Sequence, residues 1–267
     1  MVPRETTERR PVPFRGGGFN PLPRRVLPWL VFVVLIALWQ AASSAGLLPS
    51  LFMPSPAAVV RALIELWLNG TLVENINASL KRLIPGWIIG TAAGLAAGLA
   101  MGLFSAARAA GLPIVSALFP IPKIALLPLL ILWFGIGEPS KIATIALGVF
   151  FPTVISAYSA CDSVPRNLIR MGQSFGLPAT DIVAKIVLPG AMPGILAGFR
   201  ISASVALLLL VAAEMIGAQY GIGAFVLTAG NLMQTDQLLA GVVMLSILGL
   251  LISWGLGMVE RSVLRWR

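Results

Sequence analysis

The chain has 267 residues, of which 58% are hydrophobic and only 11% charged, against about 25% charged in an ordinary soluble domain. That balance, with apolar runs of lipid length recurring along the sequence, excludes a soluble helical core and reads as an all-α polytopic membrane protein. One cysteine and no histidine exclude an intrachain disulfide and leave no zinc or haem ligand set; the net charge of +9 sits in arginines flanking apolar runs, which argues against a nucleic-acid partner.

Residues 1–25 form a Pro-, Arg- and Gly-containing tail (Arg4, Arg9, Arg10, Arg15, Arg24, Arg25) with little apolar surface to bury, expected to be disordered beside anionic lipid. Residues 26–267 are the expected transmembrane domain. The first span is residues 26–44; its long basic leader and near-bilayer length favour a retained helix over a cleaved signal. A proline-containing external loop, 47–56, precedes an amphipathic interfacial helix over 57–68 with Arg61 and Glu65 on its polar side.

The second span carries glycines at 86, 90, 94, 98 and 102. Gly86, Gly90, Gly94, Gly98 and Gly102 make consecutive small-xxx-small steps on one helix face, a surface for close backbone packing within the bundle or against a second copy. A short loop containing Arg108 is expected next. The third span, 112–135, holds Pro113, Pro120, Pro122 and Pro128 and is expected to be kinked or partly unwound. Lys123 lies among these prolines, roughly 18 Å from Gly135 if the segment is helical. An intramembrane lysine is either a functional group in a pathway or a side chain that snorkels or caps the carbonyls of a broken helix. Pro122, Lys123 and Glu214 are the candidate pore residues.

The fourth span is 140–158, with Pro152 inside it. A polar elbow, residues 161–195, follows. Its first short helix spans about 165–175 and is ended by Gly176 in the left-handed conformation. Its second starts near Pro178, places Asp181 and Lys185 as an i,i+4 pair, and stops at Leu188-Pro189. The fifth span, 190–216, contains Arg200, for which a carboxylate or carbonyl partner on a neighbouring span is expected. A re-entrant-looking piece with Gly221 and Gly223 and a sixth span over 238–258 complete the chain.

The elbow resembles the cytoplasmic EAA loop of ABC importer permeases: Gly176 is followed by LPG-x-x-P at Leu188, Pro189, Gly190 and Pro193. The similarity runs over about residues 50–267 and is nearest to the nitrate, sulfonate and taurine group. It is carried by LLPSLFMPSP, by IPKIALLPLLILWFGIGEPSKIA at 121–143, by AAEMIGAQYGIG at 212–223, by LMQTD at 232–236, and by Arg82 four residues before Gly86. The resemblance implies a type I importer permease whose loop, about 161–190, docks a short coupling helix in a groove of a separate ATPase. The implied coupling residues are Arg166, Arg170, Met171, Gly172, Ser174, Phe175, Gly176 and Leu177. One departure is plain: where relatives carry Glu-Ala-Ala, this chain has Arg170, Met171 and Gly172, so the glutamate is absent.

Six spans place both termini on one side, and thirteen of the nineteen lysines and arginines fall there, which makes that side cytoplasmic. No G-x-x-x-x-G-K-[ST] cradle occurs, so ATP would be bound by another polypeptide, and no nucleophile–base pair points to an enzyme. The resulting expectation is a multi-pass permease of a bacterial inner membrane without cofactor, importing a small anion such as a sulfonate, taurine, nitrate or bicarbonate. Its expected partners are two ATPase subunits, an external solute-binding protein, a second permease copy and the lipid bilayer. The alternatives are a permease for a vitamin precursor or other small organic solute, and a self-contained secondary carrier. Secondary carriers tend to show inverted repeats and intramembrane acids, whereas here only Glu214 lies within an expected span.

Overall fold

A computed structural model describes residues 26–265. The arginine-containing tail and Arg267 lie outside the described residues. Every regular element among those described is helical.

Two compact units divide between Ala57 and Ala58. In the first, α1 (Leu27–Ser44) is apolar on all sides and buries no residue, the pattern of a helix whose solvent is lipid. Gly46 ends it at φ +72°, with Leu47 donating back to the Ala42 carbonyl at 3.1 Å. The Ala57 amide donates to the Gln40 side chain at 3.2 Å, which folds the proline loop back on its own helix.

The second unit holds most of α2 (Pro56–Leu68) and then α3 (Thr71–Leu103), α4 (Ser105–Leu118), α5 (Leu127–Phe134), α6 (Glu138–Asp162), α7 (Arg166–Ser174), α8 (Ala179–Ile182), α9 (Leu188–Gly217), α10 (Ile222–Asn231) and α11 (Thr235–Val263). The helix α2 buries Val59, Ala62 and Leu66, one stripe at i, i+3 and i+7, and leaves Arg61 and Glu65 exposed. Five helical stretches are long and apolar enough to cross a membrane, and a sixth crossing exists if the bent pair α4 and α5 counts as one span. At about 1.5 Å per residue, the 33 residues of α3 make a rod of roughly 50 Å, longer than the ~30 Å hydrocarbon layer, so its ends extend past the apolar zone.

The core is α6, with α3 parallel to it on one side and α9 antiparallel on another. Near the elbow, Ala157, Ala160, Cys161 and Val164 meet Val187, Ala191 and Ile195. Toward the far end, Ile145 and Val149 meet Leu83, Ala206 and Leu210. The Trp87 indole donates to Ser202 Oγ at 3.0 Å and pins α3 to α9. The Arg200 guanidinium pairs with Glu260 across α9 and α11.

Three sequence expectations change. Arg108 is not in a loop but inside α4, because SAARAA is alanine-rich and continues as helix once the extended Phe104 has turned the chain. Leu188-Pro189 does not stop the second elbow helix: helix runs unbroken from Ala179 to Gly217. A π-type widening at Val183–Val187 comes just before Pro189 and absorbs its missing N–H and its ring. The region around Lys123 is not a straight rod. The chain unwinds at Pro120 and Pro122, makes a 3-10 turn at Lys123–Leu126, and α5 leaves at 85° to α4, so the straight-helix depth assigned to Lys123 does not hold.

Candidate functional site

The elbow is built by a helix stop that only a left-handed residue completes. Gly176 has φ +70°; its amide donates to the Gln173 carbonyl at 2.9 Å and the Leu177 amide to the Gly172 carbonyl at 3.1 Å. These two bonds are the paired closing bonds of a Schellman end. Nothing lies within 4 Å of a Cβ placed on Gly176, so backbone conformation, not space, is what requires glycine there. Gly172 is the reverse case: it is buried, and an added Cβ would stand 2.9 Å from Ile186 Cδ1.

Helix α7 therefore has two apolar sides. Ile169 and Gly172 face the bundle, while Leu168, Met171 and Phe175 face away, Phe175 being 79% exposed. Leu168, Met171, Phe175, Leu177, Ile186 and Pro189 surround a shallow groove of about 360 Å³. Arg166 and Arg170 are exposed beside it, Ser174 Oγ is bonded back to the Arg170 carbonyl, and Asp181 and Lys185 pair at 2.8 Å. Gly190 sits against Val164, where a Cβ would be 3.2 Å from Cγ2, and Pro193 lies within α9 one turn above Pro189. An exposed apolar knob ringed by basic side chains, on a helix wedged between two long rods, is a form that docks into another surface.

The rods are held by the glycine face of α3. A Cβ on Gly90 would stand 2.4 Å from the Ala146 carbonyl oxygen; on Gly94, 2.6 Å from that of Phe150; on Gly98, 2.7 Å from that of Val154. At the two ends the neighbour is a side chain: a Cβ on Gly86 would stand 2.8 Å from Ile145 Cβ, and one on Gly102 2.6 Å from Cys161 Cβ. Helices α3 and α6 touch along about four turns, backbone to backbone at Gly90, Gly94 and Gly98, which gains dispersion where lipid offers no hydrophobic drive.

At the break between α4 and α5, Lys123 turns its ammonium onto the chain end it follows. It donates to the carbonyls of Leu118 at 2.7 Å, Phe119 at 2.9 Å and Ile121 at 2.7 Å, and lies 4.4 Å from the centroid of the Phe151 ring. The unwinding frees the Phe119 and Ile121 carbonyls and leaves that of Leu118 with a long bond from the Ile121 amide at 3.3 Å, so one side chain serves three acceptors at the break. Pro122 is extended and leads into the 3-10 turn.

Glu214 is fully buried. Its carboxylate accepts from Arg82 Nη1 at 2.7 Å, from Ser79 Oγ at 2.8 Å and from the Gly223 amide at 2.9 Å. Arg82 also grips Glu138 through Nε at 2.5 Å and Nη2 at 2.8 Å, and the Tyr220 carbonyl at 2.6 Å. Asn75 Oδ1 takes the Gly221 amide and Ser79 Oγ the Ile222 amide, each at 2.9 Å. Helices α3, α6, α9 and α10 are thus tied at the end opposite the elbow, and Glu214 is enclosed by protein. Among the described residues no cluster of His, Cys, Asp or Glu is arranged to hold a metal ion.

The pattern of the binding-protein-dependent transport system inner membrane component matches residues 86–265. The chain belongs to that family. It is a transmembrane permease of an ABC importer and not an enzyme. Among its relatives, the aliphatic sulfonates transport permease protein SsuC of Escherichia coli is 38% identical over 91% of this chain and 92% of its own. The taurine transport system permease protein TauC of Escherichia coli is 36% identical over 92% of each. In fold, the permease is similar to the MetNI methionine ABC transporter in inward-facing conformations, with a TM-score of 0.62 at 24% identity, over 72% of this chain and 96% of that one.

The permease's largest polar assembly was only partly visible in the sequence. Glu214 stood out as a lone acid in an apolar run, and Arg82 as the basic residue opening the glycine-rich span; neither signal says that they meet. One signal did exist: Asn75, Ser79 and Arg82 continue the glycine face of α3 backward at helical spacing, so a single stripe changes from polar to small along its length.

Proposed function

We propose that the permease imports a small oxyanion of the sulfonate class, and that its elbow takes its drive from a separate ATPase. The observation that carries the drive is the exposed face of Leu168, Met171 and Phe175 on a helix that cannot move without α6 and α9. The solute class is supported by the two relatives named for aliphatic sulfonates and taurine and by Lys123, a cation held at the unwound break.

In this reading an external binding protein delivers the solute at the Glu214 end and two ATPase subunits take two elbows, so two copies of this chain pack around one pathway. The elbow and both termini face the cytosol. Arg166, Arg170, Met171, Ser174, Phe175 and Leu177 contact the ATPase, with Gly172 and Gly176 setting the angle of the knob. Leu188, Pro189, Gly190 and Pro193 fix that angle to α9. Lys123 and Pro122 border the pathway, and Glu214 holds the bundle together at the far end.

The deciding experiment is reconstitution. The permease is expected to co-purify with an ATPase subunit and, with a binding protein, to drive ATP-dependent uptake of taurine or ethanesulfonate into proteoliposomes. Uptake of neither, in a complex that hydrolyses ATP on addition of the loaded binding protein, would overturn the solute class. Purification without an ATPase would overturn the drive.

A further inference from the structure

Hydroxyls on the long helices of this permease are mostly bonded to their own backbone: Thr91 to the Trp87 carbonyl at 2.6 Å, Thr144 to that of Ser140 at 2.8 Å, Thr153 to that of Val149 and Ser246 to that of Val242, each at 2.9 Å. This is how a hydroxyl is satisfied where water is scarce. Several hydroxyls depart from the pattern, Ser105 on α4 and Ser156 on α6 among them, and three others share one place. Ser116, Tyr158 and Ser159 have no hydrogen-bond partner among the described residues, and all three line one groove of about 390 Å³ between α3, α4 and α6.

No cation lines the groove, but one lies beyond each end of its lining. Toward the break the groove is walled by Phe119, whose carbonyl is held by the Lys123 ammonium at 2.9 Å. Toward the elbow the Arg108 guanidinium lies 5.1 Å from the centre of the Tyr158 ring and donates to Asp162 at 3.1 Å. Both partners of that pair are near half-exposed, at 47% and 43%, so the pair is weak and exchangeable, and an arriving anion can take the place of Asp162 on Arg108. No acidic side chain lines the groove. Hydroxyl donors in a groove lined by no acid, with the Arg108 guanidinium beside Tyr158, suit an oxyanion once Asp162 has been displaced, and offer a cation nothing comparable.

We propose that this groove is an oxyanion-binding subsite. Ser116, Tyr158 and Ser159 donate to a sulfonate-type head group, and Arg108, exchanged from Asp162, neutralises it. The proposal rests on the reading of the chain as an anion permease and adds the place where the anion is held between the break and the elbow.

The test is uptake of taurine and of ethanesulfonate by the complete transporter in proteoliposomes, with assembly followed by gel filtration. The triple variant Ser116→Ala, Tyr158→Phe, Ser159→Ala is expected to assemble normally and to lose about tenfold or more in uptake of both solutes. Asp162→Asn frees Arg108 and is expected to lower KM, whereas Arg108→Gln raises it. A purely structural pair would shift both variants the same way, and that result would overturn the role of Arg108. Triple-variant uptake within about twofold of the parent would overturn the subsite while leaving the anion reading intact. A parent that imports neither sulfonate would remove both. A loss confined to taurine would overturn the oxyanion assignment, because ethanesulfonate carries the same sulfonate and lacks only the ammonium group. Should the triple variant fail to assemble, Tyr158→Phe alone is read, and misassembly there too would make the hydroxyl structural and end the proposal.

Discussion

Arg82 and Glu214 meet at 2.7 Å with side chains 5% and 0% exposed, although 132 residues separate them in sequence. Such a pair adds little over a hydrophobic substitute, but losing one partner strands a charge in a dry site at a cost of about 3–5 kcal/mol. Arg82→Met, which leaves the buried Glu214 carboxylate with only Ser79 and the Gly223 amide as donors, is therefore expected to lower the thermal stability of the detergent-solubilised protein sharply. Glu214→Leu in the same chain should recover part of the loss, whereas Glu214→Leu alone is milder because Arg82 keeps Glu138. The unfolding temperatures of the singles and the double decide the matter: additive losses would mean that the two residues do not act as a unit.

The α3–α6 seam makes a second forecast. Gly94→Ala places a methyl 2.6 Å from the Phe150 carbonyl oxygen, while Gly255→Ala on α11 meets nothing within 4 Å. The first is expected to cost about 1–3 kcal/mol by overpacking, and the second to be neutral or slightly stabilising through helix propensity. Equal thermal shifts for the two would contradict backbone contact along this face.

At the elbow, Gly176→Asn and Gly176→Val separate conformation from bulk. Asparagine tolerates φ +70° and valine does not, and the Cβ that both add meets nothing within 4 Å. The valine variant is expected to hydrolyse ATP with uptake reduced several-fold per ATP, and the asparagine variant to stay near the parent. Coupling ratios from paired ATPase and uptake assays provide the check; a fully coupled valine variant would mean that the helix stop is not what sets the knob.

Lys123→Met leaves the Phe119 and Ile121 carbonyls at the break without their donor and the Leu118 carbonyl with only the Ile121 amide at 3.3 Å. Faster amide hydrogen exchange is expected in the peptide spanning residues 117–127, with anion uptake down by about an order of magnitude and assembly retained. Lys123→Arg should restore uptake in part. Unchanged exchange in the methionine variant would show that the break is held by something else.

How much was legible follows from the range of each signal. The period-four glycines announced a close-packed face because the code is local, and four turns of one helix are enough to read it. The unwound stretch was legible for the same reason, since Pro120 and Pro122 remove donors within a few residues. Leu188-Pro189 misled because a proline after a leucine looks the same whether a helix ends or widens; the π turn at Val183–Val187 is set by packing against α6 and α7. The alanine-rich stretch around Arg108 does favour helix; its place between two spans is what suggested a loop. The grip of Arg82 on Glu214 was out of reach because long-range partners leave no trace in spacing.

The unbroken run from Ala179 to Gly217 makes one shaft of the elbow and the far end. From Lys185 to Glu214 is 29 residues, roughly 44 Å of helix. A twist applied beside Gly176 is delivered to the Arg82 cluster with no intervening joint, except for whatever slack the widened turn at Val183–Val187 allows. That turn is the irregular stretch of the run, so a change in its packing would alter how much of a rotation at one end reaches the other.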